Sequence, residues 1–147
     1  VTNGGNVGIG TTSPSERLHV VGNVLADAHL TPSSQRWKTN VRPIDGALDK
    51  IQRLRGVTYD WKADGKHHIG LLAEEVGAVI PEVVAYEEDG KAAKSVDYAR
   101  LTALLIEGAK AQQSQILELK TENADLKARL ERLEQRIGGY AVSMRVE

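Results

Sequence analysis

Residues 116–137 read ILELKTENADLKARLERLEQRI. Ile116, Leu119, Asn123, Leu126, Leu130, Leu133 and Ile137 follow one another at alternating spacings of three and four. That is the a/d seam of a coiled coil, a helix that buries one narrow stripe against its neighbours. In this frame Glu122 at g faces Lys127 at the next e, and Arg129 at g faces Glu134 at the next e. Both pairs attract between parallel chains. Asn123 at an a position fixes register at some cost in stability, and such an Asn is often a dimer device. The Ile/Leu mixture does not decide the number of strands. Leu117 falls off the seam. Upstream, the seam runs less cleanly through Leu105, Ala109 and Gln112, as expected if the helices splay toward a globular unit. The expectation is one helix over 97–137, ended by Gly138-Gly139 and followed by a tail, 138–147.

Working outward, residues 33–96 carry the mixed signals of a small α+β unit. Ile44, Leu48, Ile51 and Leu54 predict a helix over Pro43–Leu54, with Asp45 suited to its positive end. Val57–Trp61 alternates as a strand, Asp64-Gly65 turns, and Ile69–Leu72 is a short strand or the lead into a helix. Ala73–Val79 reads as a helix stopped before Pro81. Val83–Tyr86 reads as a strand, and Glu88-Asp89-Gly90 turns the chain toward Ala93–Val96. Residues 1–32 are rich in Gly, Asn, Thr and Ser, with apolar residues in short bursts: Val7 and Ile9, Leu18 and Val20, then Val24. This predicts short strands and turns that cannot form a stable sheet alone.

Composition narrows the function. A chain of 147 residues with net charge −1 offers no argument for nucleic acid or an anionic membrane as a partner. No cysteine means no disulfide and no thiolate metal site. No apolar run approaches the roughly 20 residues of a membrane span. No signal peptide is visible, and the start reads like the middle of a longer protein. Phenylalanine is absent and aromatics make up 4%, so association is the natural way to bury more apolar surface.

The chemistry concentrates in Ser33-Ser34-Gln35-Arg36-Trp37-Lys38-Thr39-Asn40, just after Pro32. A serine nucleophile needs a base, and a lysine amine serves where no histidine is at hand. Ser-x-x-x-x-Lys alone is common by chance. Three longer blocks downstream are more specific: WKTNVRPIDGALDKIQRLRGVTYDWK, then HIGLLAEEVGAVIPEVV, then SVDYARLTALLIEGAKAQQSQI. These blocks, in this order over roughly Ser33–Leu133, resemble the intramolecular chaperone domain at the C-terminus of phage tailspikes, tail fibres and endosialidases. The phrase GNVGIGTTSPSERLHVVGNV likewise resembles phage fibre shaft segments.

The resemblance implies a β fibre-shaft end at 1–32, an α+β chaperone core at 33–96 and a parallel trimeric coiled coil at 97–137. It implies a homotrimer that registers the upstream fibre of the same chain and then cuts itself off with a Ser-Lys dyad. The nucleophile is carried onto Ser33, the base onto Lys38 and the scissile bond onto Pro32–Ser33. Two positions depart from the family's pattern: Ser34, where an acid often follows the serine, and Glu74, where glutamine often stands. Arg36, Asn40 and Glu74 are the supporting candidates. A lysine base must first give up its proton, which an apolar wall such as Trp37 favours. Arg36 either opposes the Lys38 charge or points to solvent. The oxyanion falls to backbone amides or to the Asn40 side chain. No cofactor, metal or small-molecule ligand is implied. The setting would be a virion tail precursor assembled in the host cytoplasm, or a prophage or bacterial surface fibre. The alternative is a non-cleaving trimeric cap of a surface fibre or adhesin.

Other residues invite blander readings. Adjacent His67 and His68 point apart on a strand and read as a surface pair rather than a metal site. Glu74-Glu75 read as helical surface or salt-bridge residues. The Gly4–Gly10 run lacks the Gly-Lys-Ser/Thr ending of a phosphate loop.

Overall fold

The computed structural model describes residues 5–143, with side chains to Ile137. The expected shaft residues 1–4 and tail residues 144–147 lie outside the described residues. The chain divides into two units, 1–41 and 42–147.

In the first unit, β1 (Val7–Ile9) pairs in parallel with β2 (Leu18–Val20) in the register Val7↔Leu18, Gly8↔His19, Ile9↔Val20. Parallel neighbours normally need a crossover of a dozen residues or more. Here the chain winds back over residues 10–17 alone, with Gly10 in the left-handed region at φ 74°. The Val7 amide donates to the Arg17 carbonyl at 2.8 Å and Val21 to Ile9 at 2.9 Å, clamping both ends of the pair. No described residue of this unit is buried; Leu25 and Leu30 are almost fully exposed.

The second unit holds the core. α1 (Ala47–Arg53) starts later than the apolar spacing predicts, because Gly46 sits at φ 62° and breaks the helical path before Ala47. β3 (Val57–Asp60) and β4 (His67–Gly70) form an antiparallel hairpin, Val57↔Gly70 to Asp60↔His67. Its turn is closed by Gly65 at φ 69° and by the Asp64 carboxylate, which accepts the Lys66 amide at 3.1 Å. α2 (Ala73–Gly77) is shorter than expected and runs through a tight turn into a 3₁₀ turn at Pro81–Val83. β5 (Val84–Tyr86) and β6 (Ala93–Val96) make a second hairpin, irregular between Ala85 and Tyr86.

α3 (Tyr98–Ser143) is capped by Asp97, whose carboxylate accepts the Arg100 amide at 3.3 Å. At 46 residues it is about 69 Å long. It does not end at Gly138-Gly139. A helix interior tolerates glycine at about 1 kcal/mol each, and the ladder continues to Ser143. Ala47, Val76, Ile80, Val83, Leu101 and Leu104 are the buried core, with Ile44, Ile51, Leu54, Leu71, Val79, Val84 and Val96 packed around them. α1 lies directly on α3 at Gly108, where an added Cβ would collide with the end of the Ile51 side chain. Tyr98 ties the β3–β4 hairpin to α3: its hydroxyl accepts the Leu71 amide at 2.9 Å, and Gly70 leaves room for it.

Candidate functional site

Ser33 and Lys38 lie in the first unit, on either side of a 3₁₀ turn, Gln35–Trp37. Ser34 enters the turn extended, at φ −64° and ψ 137°, and Lys38 leaves it extended at φ −119° and ψ 141°. The Trp37 amide donates to the Ser34 carbonyl at 3.1 Å and the Lys38 amide to Gln35 at 3.0 Å. The fold-back brings the Lys38 Nζ to 2.8 Å from the Ser33 Oγ, where the amine donates to the hydroxyl. That separation also suits the reverse bond, from hydroxyl to a neutral amine. Both side chains are exposed.

Trp37, expected as a wall for the lysine, is 63% exposed, and the Arg36 guanidinium lies over its ring at 4.6 Å from the centroid. Of the two roles open to Arg36 in the sequence, neither anticipates this stack. Asn40 occupies the left-handed region at φ 53°, which asparagine tolerates better than most residues. No hydrogen bond joins its amide to Ser33 or Lys38 among the described residues.

The remaining candidates fall in the second unit. Glu74, on α2, lines a groove of about 400 Å³ with Tyr59, Trp61, Lys94, Ser95 and Tyr98. Its neighbour Glu75 instead forms an exposed ion pair with Arg55, whose Nε donates to Glu75 Oε2 at 3.3 Å. The hydrogen bond from Arg55 holds the Glu75 carboxyl below its usual range, and the same bond raises Arg55. His67 and His68 sit on β4. His67 Nδ1 is 2.7 Å from Asp60 Oδ1 across the hairpin, while the His68 ring stacks with Tyr59 at 6.1 Å. The apolar heptad residues all face solvent in the single chain, from 40% exposure at Ile116 to 69% at Ile137. Asn123 donates from its amide back to the Leu119 carbonyl at 2.8 Å. None of the described helices is long and apolar enough to cross a membrane.

The family model for the chaperone of endosialidase matches residues 33–85, opening on Ser33 itself. Residues 33–85 belong to the chaperone of endosialidase family. A long tail fiber protein, Gp37, of Enterobacteria phage K3 is 35% identical over 113 residues, covering 71% of this chain and 9% of the fibre protein. The protein of the same name from Salmonella phage S16 is 31% identical over 104 residues, 65% of this chain and 14% of that protein. An uncharacterized membrane protein of Dictyostelium discoideum is 33% identical over 140 residues, covering 79% of this chain and 8% of that protein. The chain thus spans a small part of the curated relatives it matches. The segment that carries the family match begins at the residue whose hydroxyl meets the lysine.

Proposed function

We propose that this chain is an intramolecular chaperone that trimerises and registers an upstream phage-type fibre, then releases itself by cutting before Ser33. The observation that carries the reading is the 2.8 Å approach of Lys38 Nζ to Ser33 Oγ at the first residue of the family match. The tail-fibre relatives support the setting, and the solvent-facing seam from Ile116 to Ile137 supports parallel partners. Three seams in contact would bring the shaft strands together at high local concentration and hold them at a common starting line. Register error is the chief hazard of short, glycine-rich strands, and a fixed end removes it.

The cut would proceed in two steps. Lys38, with its amine neutral, takes the Ser33 hydroxyl proton as Oγ attacks the Pro32 carbonyl carbon. Backbone amides or the Asn40 side chain hold the oxyanion. The bond from that carbon to the Ser33 nitrogen breaks, the nitrogen gains the proton, and an ester links Pro32 to Oγ. Water then hydrolyses the ester, leaving a Pro32 carboxylate and Ser33 as a new N-terminus. With the guide gone, the wound fibre is trapped kinetically.

The exposure of both dyad side chains favours one other reading, a trimeric cap that never cleaves. Intact mass under denaturing conditions separates the two. The unmutated chain should split, while Ser33→Ala and Lys38→Ala should stay whole yet still associate in native buffer. Three whole, associated chains would leave the cap.

A further inference from the structure

We propose that Arg36 and Trp37 act together as positioning residues, their stack bracing the turn that brings Lys38 to Ser33; this rests on the cleavage reading above. Five residue steps fully extended reach about 17 Å, yet Nζ and Oγ meet at 2.8 Å. The turn between them is weakly built. Two i→i+3 backbone bonds close it, a pattern with poorer geometry than the α-helical one. None of its residues is buried, so no packing holds it. Among the described residues, Gln35, Arg36 and Trp37 make no side-chain hydrogen bond, ion pair or ring contact other than the Arg36–Trp37 stack. The stack joins adjacent residues within the turn and closes only when their side chains fold to the same side. It therefore favours the conformations in which the turn is formed. It also holds the Arg36 guanidinium against the indole face, so that this cation has a partner of its own beside the dyad. An exposed cation–π contact is worth about two- to fivefold in an equilibrium of this kind.

Two experiments test the brace, one with the chemistry and one without it. In the self-cutting chain, Arg36→Ala and Trp37→Ala should each slow cleavage about two- to fivefold. Arg36→Lys and Trp37→Phe, which keep a cation over a ring, should recover most of the rate. The double variant Arg36→Ala/Trp37→Ala should be no slower than the slower single variant, because one contact is lost only once. Losses that multiply, or single variants that cut at full rate, would overturn the proposal. The second experiment uses Ser33→Ala, which cannot cut, and follows amide hydrogen exchange at Lys38, whose N–H closes the turn on the Gln35 carbonyl. Adding Trp37→Ala should speed that exchange, corrected for the intrinsic rate, about two- to fivefold. An unchanged exchange rate would overturn the brace. If the unmutated chain stays whole while exchange speeds up, the cleavage reading fails and the brace stands.

Discussion

The two halves of α3 make opposite use of one helix. In its first turns Leu101 and Leu104 are buried at 8% and 4% exposure against partners from the same chain. Beyond Ile116, Leu119, Leu126, Leu130 and Leu133 all stand more than half exposed. Leucine does not change its chemistry along the helix; what changes is whether the chain supplies anything to cover it. Where it does, the contact is specific down to Gly108, kept bare for Ile51. Where it does not, the parallel trimer proposed above would supply the cover.

The contrast breaks most visibly at the exposed end. Leu126→Ala should leave the unfolding of the second unit's core almost unchanged in a dilute single chain, yet weaken the proposed trimer by roughly 4–9 kcal/mol, from three lost side chains. Sedimentation across a concentration series reads this; unchanged association would remove the seam as the source of assembly. At the buried end, Leu104→Ala should cost about 2–5 kcal/mol in the stability of that core by chemical denaturation, even in chains that cannot associate. Gly108→Val should cost about 1–3 kcal/mol in the same assay, as Ile51 is forced from its place on α3. Smallest is the exposed Arg55–Glu75 pair. Its depressed Glu75 pKa makes a contribution present above the unfolded carboxyl's value and lost as pH falls through the folded one. Arg55→Ala should therefore lower the melting temperature slightly at neutral pH and not at all in strong acid.

Much of the fold is legible in residue order. The spacing of Ile44, Leu48, Ile51 and Leu54 marks α1, and the alternation of Val57–Trp61 marks β3, because apolar periodicity reports which face is covered. Ser33 and Lys38 are legible only through a resemblance spread over a long stretch, since the pair itself is commonplace. What stays hidden depends on particular backbone angles and side-chain approaches. Gly46 cuts α1 short because its φ is positive, which residue type permits without requiring. Gly138-Gly139 looks like a helix stop and is not one, because glycine weakens a helix without forbidding it. The Tyr98 hydroxyl's grip on Leu71 and the Arg36–Trp37 stack carry no periodic signal. An Arg-Trp pair in a short turn is nevertheless a cue worth reading in other sequences.

The most direct test of self-cleavage is the mass of the fragments that the unmutated, folded chain produces under denaturing conditions. Two pieces are expected, residues 1–32 ending in a Pro32 carboxylate and residues 33–147 beginning with a free Ser33 amine. A single uncut species of 16.0 kDa, or a break at any other bond, would contradict it.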